Sequence, residues 1–196
     1  MRQIILFTIL SLFLFCPAIL FATPVGTAPT PYPYAEHEDG FWQYLGADWE
    51  ANDGISWTPF APGQLAYIDI TVNSEGEFEW LSLWIDWDQS GSWENNELMV
   101  DLQQVWFDVG ATTLTEVITV PSSAILGTTW MRARFGFDGP YSPDGFAFYG
   151  EVEDYQVDVV PEPNTILLLA SGLAGIAGYT GIRFRRKIVG GIAPYI

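Results

Sequence analysis

Residues 86–97 form the densest run of oxygen-bearing side chains in the sequence, reading Asp-Trp-Asp-Gln-Ser-Gly-Ser-Trp-Glu-Asn-Asn-Glu. Calcium needs six to eight hard oxygen atoms around one point, and alternate residues of a tight loop can supply them. As a twelve-residue calcium loop, the run has glycine at position 6 for the turn and an oxygen at each ligand position. The predicted ligands are Asp86, Asp88, Ser90, the carbonyl of Ser92, and Glu97.

The residues on either side of this run differ from those of an EF-hand. Residues 81–87 and 98–107 alternate between apolar and polar side chains, as strands do, and not with the period of a helix. We therefore expect an EF-hand-like loop between two strands. A strand does not return position 12 to the ion as a helix would, so Glu94 is a substitute ligand for Glu97. The alternative is a solvated acidic hairpin with a glycine turn and no metal.

Short alternating runs bounded by Gly, Pro, Asn and Asp predict the strands that would hold this loop. They lie at residues 65–72, 78–87, 98–109, 114–120, 130–137 and 148–159. Between the two ends of the chain, no window keeps a helical apolar period over three turns. The sequence therefore predicts an all-β fold, an antiparallel β-sandwich, with residues 23–62 as loops draped over it.

The charge of residues 23–160 restricts the possible partners. Five of the seven Lys and Arg residues lie outside this range, so it holds two basic and 23 acidic residues, a net charge of −21 against −17 for the whole chain. Binding nucleic acid or anionic lipid requires basic residues against phosphates, so neither is expected as a ligand of this domain. Nine Trp residues argue for a folded domain, and cations are its natural partners.

A second acidic motif, Gly-Glu-Val-Glu-Asp-Tyr-Gln-Val, occupies residues 150–157. Strand alternation puts Glu151 and Glu153 on the face expected to be buried, where a carboxylate needs a partner. If residues 130–137 and 148–159 form a hairpin, Arg134 lies opposite Glu151 and Arg132 opposite Glu153. We predict two structural ion pairs. In the competing interpretation these acidic residues, with Asp154, supply oxygens to calcium.

Most of this domain resembles the GEVED domain, a family found in extracellular bacterial proteins and named for the closing motif. The resemblance runs in order through residues 26–33, His37, 44–46, 53–54, Gly63, 84–97, 132–135 and 150–155. It implies a β-rich secreted module with an acidic, calcium-type loop, and it implies no known enzymatic activity.

Catalytic arrangements are scarce in this sequence. His37 is the sole histidine, a possible metal ligand or general base that we interpret as a loop residue among carboxylates. A nucleophilic triad has no second histidine, and a transition-metal site would need more nitrogen or sulfur ligands. A glycosidase pair of carboxylates remains open, yet calcium and the arginines account better for the acidic residues. We expect a protein that is not an enzyme.

Aromatic side chains raise the possibility of carbohydrate binding. Both faces of the strand at residues 78–87 are apolar, so one face could be an exposed platform on which sugar rings stack. The candidate rings are Trp80 and Trp84 on one face and Trp87 on the other. The alternative is a strand buried on both faces or covered by the loop that precedes it.

The last part of the sequence combines Pro161, Glu162 and Pro163 with an apolar run at 165–182 and a basic cluster of Arg183, Arg185, Arg186 and Lys187. Eighteen helical residues span roughly 27 Å, enough to cross a bilayer, and the basic cluster favours the cytoplasmic side. This pattern resembles the PEP-CTERM sorting signal of exported bacterial proteins. The resemblance implies processing by an exosortase in a Gram-negative envelope. A plain C-terminal anchor is the alternative.

The first residues have the pattern of a secretory signal peptide, with Arg2, an apolar run at 4–15 and Ala22 at the cleavage point. Cleavage there removes Cys16, the sole cysteine, so the mature chain has no disulfide.

The predicted organisation is a signal helix at 1–22, the β domain at 23–160, the sorting and transmembrane segment at 161–187 and a tail at 188–196. We expect a surface or matrix protein stabilised by calcium, with a structural or adhesive role. The alternative is a calcium-dependent module that binds exopolysaccharide.

Overall fold

A computed structural model describes residues 25–39, 42–47, 51–162, 167–174 and 176. Short alternating segments punctuated by Gly, Pro and Asp give mostly strands. They are β1 (Ala35–Asp39), β2 (Tyr44–Leu45), β3 (Ile55–Trp57), β4 (Leu65–Ser74), β5 (Phe78–Ile85), β6 (Leu98–Trp106), β7 (Gly110–Thr119), β8 (Gly127–Gly136), β9 (Gly145–Tyr149) and β10 (Glu151–Val159). A single 3-10 turn (Asn95–Glu97) precedes β6.

Two four-stranded antiparallel sheets make up the domain. The first sheet has the strand order β10-β8-β5-β6. In the second sheet β4 is central, with β7 along one edge and the short strands β2 and β3 end to end along the other. A third, two-stranded sheet pairs β1 with β9 in parallel. The all-β, antiparallel prediction is confirmed for the two large sheets.

One hydrophobic core joins the inner faces of the two large sheets. Strand β4 contributes every second residue from Ala66 to Val72, all fully buried, because alternate side chains of a strand point to the same face. Leu81, Leu83 and Ile85 of β5 and Phe135 of β8 meet them from the first sheet. The sheets therefore pack as the layers of a sandwich around this cluster.

Each of the six predicted strands overlaps an observed one, with one division that the pattern does not show. The run predicted at 148–159 is split at Gly150, which has a φ of 110° and separates β9 from β10. A Cβ atom there would overlap the carbonyl oxygen of Phe135, so this position requires glycine. Because of this break, β9 leaves the first sheet and pairs with β1.

The segment that precedes β4 is more ordered than predicted. Residues 23–62 were expected as loops, but they include β1, β2 and β3. These strands have two to five residues each, too few for an alternating pattern to be visible in the sequence. They matter here because they cover the closing strand β10 and supply donors to its acidic side chains.

The two predicted membrane-directed ends fall largely outside the described residues. The signal helix at 1–22, Pro163, and the basic cluster at 183–187 lie there. Residues 167–174 and 176 are helical, and leucines 167, 168, 169 and 173 are at least 60% exposed. Among the described residues, no helix combines the length and apolarity needed to span a bilayer.

Candidate metal centre

Three carboxylates of the predicted calcium loop converge in the structure. Asp86 directly follows β5, Asp88 lies two residues on, and Glu97 closes the loop before β6. One ligand oxygen of each lies within 4.8 Å of those of the other two. Asp86 and Glu97 are buried, whereas Asp88 is exposed. The group is thus open to solvent on the Asp88 side only.

Glu97 reaches the other carboxylates because the 3-10 turn Asn95–Glu97 returns the chain to the start of the loop. Its Oε2 accepts a hydrogen bond from Glu94 N at 3.0 Å, as half of a capping box. Its Oε1 accepts one from Trp87 N at 2.7 Å. This single 3-10 turn therefore brings Glu97, position 12 of the loop, back to the other carboxylates. We had expected only a flanking α-helix to do so.

The remaining predicted ligands form a second group of oxygens in the same loop. The Ser90 hydroxyl lies 3.1 Å from Ser92 Oγ and 3.4 Å from the Ser92 carbonyl oxygen. Glu94 Oε1 accepts hydrogen bonds from Ser92 Oγ at 2.5 Å and from Ser90 Oγ at 3.4 Å. Glu94 thus belongs with the serines, and it does not replace Glu97.

Glycine at position 6 shapes the loop around Asp86. Gly91 has a φ of 83° and donates its N–H to Asp86 Oδ2 at 3.0 Å, while Ser90 N donates to Oδ1 at 3.1 Å. A side chain at Gly91 would overlap Pro31 of the N-terminal segment. The backbone donors hold the Asp86 carboxylate in place. Because Oδ2 also accepts a hydrogen bond from the Tyr32 hydroxyl, the lone pair left for a cation is on Oδ1.

The electrostatics of this centre favour a cation. Burial, then the capping partner Glu94 and the charge of Asp86, raise the pKa of Glu97 to about 7. Burial and the neighbouring carboxylates therefore disfavour the ionised form of Glu97. A bound cation would supply positive charge at the point where they converge.

The donor set fits a hard cation. Its atoms are carboxylate, hydroxyl and carbonyl oxygens, which suit calcium or magnesium, and they include no nitrogen or sulfur. Asp86, Asp88 and Glu97 would hold the ion, with Ser90 and Ser92 on the adjoining side of the loop.

The N-terminal segment packs over the loop. Tyr32 donates its hydroxyl proton to Asp86 Oδ2 at 2.6 Å, and its ring lies 4.6 Å from that of Trp93. Trp93 also faces the guanidinium of Arg132, with Cζ 4.3 Å from the ring centroid. The loop is thereby connected to β8 and, through Arg132, to the closing acidic motif.

Arg132 pairs with Asp154, and the predicted ion pairs are wrong. Arg132 Nε and Nη2 donate to the two carboxylate oxygens of Asp154 at 2.6 and 2.7 Å, and both side chains are buried. The register places Asp154 opposite Arg132, Val152 opposite Arg134 and Phe135 opposite Glu151. The predicted register was one residue off, and such a slip moves every side chain to the other face.

The motif's two glutamates lie on the inner face, as predicted, with backbone partners. Glu151 Oε2 accepts a hydrogen bond from Leu45 N at 2.7 Å. Glu153 Oε1 accepts from the N–H groups of Asp53 and Gly54, and its Oε2 from the Tyr155 hydroxyl at 2.6 Å. Neither belongs to the carboxylate group at residues 86–97. The motif fastens strands β2 and β3 to β10.

His37 lies on β1 and is fully buried, so it is not the loop residue that we expected. Its Nδ1–H donates to the Tyr149 carbonyl oxygen at 2.8 Å, and its Nε2 accepts from Arg134 Nε at 3.1 Å. Burial and the charge of Arg134 lower its pKa to about 3, so the ring is neutral. The imidazole positions Arg134, which also donates to the carbonyls of Ser142 and Asp144.

The predicted sugar platform is not formed. Trp84 and Trp87 are 3% and 4% exposed, so neither can stack on a ligand. Trp80 is half-buried with its ring against Gly139. The strand is buried on both faces from Leu81 to Ile85, which agrees with the alternative interpretation for that part, and Gly139 packs against Trp80; Phe78 at its start is exposed.

Comparison with known families agrees with this arrangement. Residues 80–158, which contain the loop, Arg132 and the closing motif, match the GEVED domain. Residues 159–187 match the PEP-CTERM protein-sorting motif. The chain carries a GEVED domain followed by a PEP-CTERM motif. A PEP-CTERM motif is recognised by an exosortase-type enzyme, so this GEVED protein is exported and processed at a membrane. No curated protein matches the chain.

Sequence reasoning missed the roles of two residues, one at the metal centre and one in the closing motif. Tyr32, which bonds Asp86, is 54 residues away in a proline-rich segment whose path no periodicity reveals. Asp154 was considered only as a calcium ligand. Its adjacency to Glu153 offers a usable clue. Successive strand residues face opposite sides, so an arginine that does not face Glu153 can face Asp154.

Proposed function

We propose that this GEVED protein is a non-enzymatic component of the cell surface or extracellular matrix, with a structural or adhesive role, whose β domain is stabilised by calcium bound at residues 86–97. The observation that supports the proposal most is the convergence of Asp86, Asp88 and Glu97 within 4.8 Å. Each of the three accepts a hydrogen bond from a backbone N–H group, so the carboxylates are arranged before an ion arrives.

The charge of the domain supports a role for cations in its stability. Two arginines balance few of the 23 acidic residues between positions 23 and 160, and one of the two is fully engaged by Asp154. Neutralising the converging carboxylates relieves repulsion in the folded state only, because the unfolded chain separates them. Calcium should therefore shift the folding equilibrium toward the native state.

Thermal melting of the full chain in detergent tests this proposal. With CaCl2 at about a hundred times its Kd, linkage adds about 2.7 kcal/mol to the free energy of unfolding, which raises the Tm by several degrees over an EDTA sample. MgCl2 should raise it less, because magnesium demands stricter octahedral geometry. Equal melting curves in CaCl2 and EDTA would refute calcium stabilisation.

We further propose a signal peptide at residues 1–22, a membrane-spanning segment at 165–182 and a Gram-negative surface or matrix as the destination. The exposed leucines 167, 168, 169 and 173 support insertion of this segment into an apolar medium. Replacing Pro161, Glu162 and Pro163 with alanine should leave unprocessed protein in the inner-membrane fraction, as a gel shift would show. Replacing Thr165, outside the tripeptide, is the control. Normal processing of the triple variant would contradict the proposal.

A second candidate function is calcium-dependent carbohydrate binding, at a site other than the tryptophans first considered. A cavity of about 320 Å³ lies beside β9, lined by Asp138, Tyr141, Asp144, Phe146 and Phe148 among others. Phe146 and Phe148 are more than half exposed, and their ring centroids are 5.1 Å apart. Aromatic rings beside carboxylates can stack on sugars and bind their hydroxyl groups.

Polysaccharide pull-down separates the two candidates. Binding of exopolysaccharide that is lost in the Phe148→Ala variant but kept in Phe78→Ala, which changes an equally exposed ring on another strand, would favour the carbohydrate module. Absence of binding by the unchanged protein would leave the structural role as the better explanation.

A further inference from the structure

Three buried oxygen atoms at one end of the sandwich have no hydrogen-bond partner. They are Gln43 Oε1 and both carboxylate oxygens of Glu79, and among the described residues no other buried side-chain nitrogen or oxygen lacks a partner. Gln43 is 3% exposed and Glu79 is fully buried. Buried polar groups in native proteins are almost always satisfied, and leaving a carboxylate unpaired in the interior is costly. These atoms therefore call for a ligand.

The strand register brings the two side chains to the same region. Tyr44 pairs with Asn73, so the next position in this antiparallel ladder sets Gln43 opposite Ser74. Ser74 in turn faces Glu79 across the sandwich, since its hydroxyl partly offsets the rise in the pKa of Glu79 that burial causes. The Ser74–Glu79 contact does not satisfy either carboxylate oxygen with ordinary hydrogen-bond geometry.

All three side chains point inward. Gln43 is two residues from Leu45, Ser74 two from Val72 and Glu79 two from Leu81, and these three apolar residues belong to the core. Gln43 and Ser74 are neighbours in the second sheet and Glu79 contacts Ser74 from the first, so an amide oxygen, a hydroxyl and a carboxylate share one buried region. Glu79 lies at the start of β5, roughly 20 Å along the chain from Asp86, which directly follows that strand.

We propose that Glu79, Gln43 and Ser74 bind a hard cation inside the sandwich, at a site separate from the loop at residues 86–97. A cation joins oxygen atoms that are too far apart or wrongly oriented to hydrogen-bond to one another, and all donors here are oxygen. The strongly negative domain raises the local cation concentration. With one carboxylate among the three ligands, either calcium or sodium suits the site, and the test below separates them.

The test uses the full chain in detergent at pH 8, in choline chloride treated with chelator, with Asp88→Asn present to weaken the loop site. CaCl2 or NaCl is then titrated while the Tm is followed. The variant with Glu77→Gln, an exposed acid two residues from Glu79, should keep a saturable rise in Tm. The variant that carries Glu79→Gln instead of Glu77→Gln, again together with Asp88→Asn, should show no such rise in Tm.

A rise with CaCl2 alone identifies a divalent site, and an equal rise with NaCl identifies a monovalent one. Equal responses of the Glu77→Gln and Glu79→Gln variants to both salts would overturn the proposal and indicate a carboxyl kept neutral by a proton. If the loop at residues 86–97 binds no calcium, chains with and without Asp88→Asn will show the same change of Tm with CaCl2. That result is distinct from the outcome for Glu79.

Gln43→Glu is a second variant with the opposite expected sign. At a cation site the added carboxylate should tighten calcium binding by about tenfold or more, because ligand charge sets affinity in oxygen sites. Without a cation, two buried carboxylates would repel each other. A Tm that falls in every salt, with no gain in calcium affinity, would reject the site.

Discussion

The loop at residues 86–97 and the closing motif at residues 150–155 handle buried carboxylates in opposite ways. In the closing motif, Asp154 has a guanidinium partner and Glu153 accepts two backbone N–H groups and a hydroxyl. In the loop, Asp86 and Glu97 also accept backbone donors, but they converge with Asp88 and no arginine lies among the three. Asp154 of the motif has its counter-charge within the chain, whereas the three loop carboxylates have no basic partner in the described part of the chain, which the proposed calcium would supply.

This difference assigns each region a separate part in stability. Arg132 contributes to both regions, because it pairs with Asp154 and lies over Trp93 of the loop. The closing motif should determine whether the N-terminal strands stay attached under any ionic condition. The loop should determine how stability responds to calcium. Variants that affect one response and not the other test the comparison directly.

The largest expected effect is that of Arg132→Met. It leaves the buried Asp154 carboxylate unpaired and removes the hydrogen bonds to the carbonyls of Pro33 and Pro143. Removing one partner of a buried pair costs about 3–5 kcal/mol, so we expect a loss of that size in the free energy of unfolding. Urea denaturation in CaCl2 and in EDTA should show a similar loss in both.

The double variant Arg132→Met with Asp154→Leu is the matched control for this prediction. It removes both charges, so it should recover part of the lost stability. If the double variant is as unstable as the single one, packing around Arg132, and not the charge pair, accounts for the effect.

The next effect in size concerns the loop. Asp88→Asn keeps an oxygen that can accept the bond from Ser90 N but removes one charge from the exposed side of the centre. We expect calcium affinity to fall at least tenfold, with little change of stability in EDTA. Calorimetric titration measures the affinity, and Asp101→Asn, an exposed acid on β6, is the control. Equal affinities in the two variants would separate Asp88 from the metal centre.

The strands and the carboxylates of the loop could largely be predicted from the sequence. Alternation located six strands, and the spacing of Asp86, Asp88 and Glu97 brought together residues that the structure does place within 4.8 Å. Local patterns sufficed because each of these features lies within one short segment. Partners far apart in the sequence could not be predicted in this way. The pairing of Arg132 with Asp154 depends on a register that the β9 excursion shifts by one residue, and no local pattern records it.

A smaller effect should appear in the pH dependence. Burial raises the pKa of Glu97 to about 7 in the folded chain, above its ordinary value, so this residue stabilises the fold most below about pH 4.5 and loses that contribution as the pH rises toward 7. At the proposed site, bound calcium would hold Glu97 ionised and cancel this loss of stability. The calcium-induced rise in Tm should therefore be greater at pH 7 than at pH 5. A larger rise at pH 5 would show that Glu97 is not a ligand.

Glu153→Gln should have the smallest effect, and it tests whether the closing motif is complete without a cation. Glutamine keeps an oxygen for the N–H groups of Asp53 and Gly54 but offers Tyr155 no second acceptor, a loss of about 1 kcal/mol. Burial raises the pKa of Glu153 to about 7, so the neutral amide resembles a form already populated near neutral pH. Calcium affinity should stay unchanged, because Glu153 lies outside the loop. A change in calcium affinity would mean that the two acidic regions are coupled through Arg132, and the division drawn between them would then have to be abandoned.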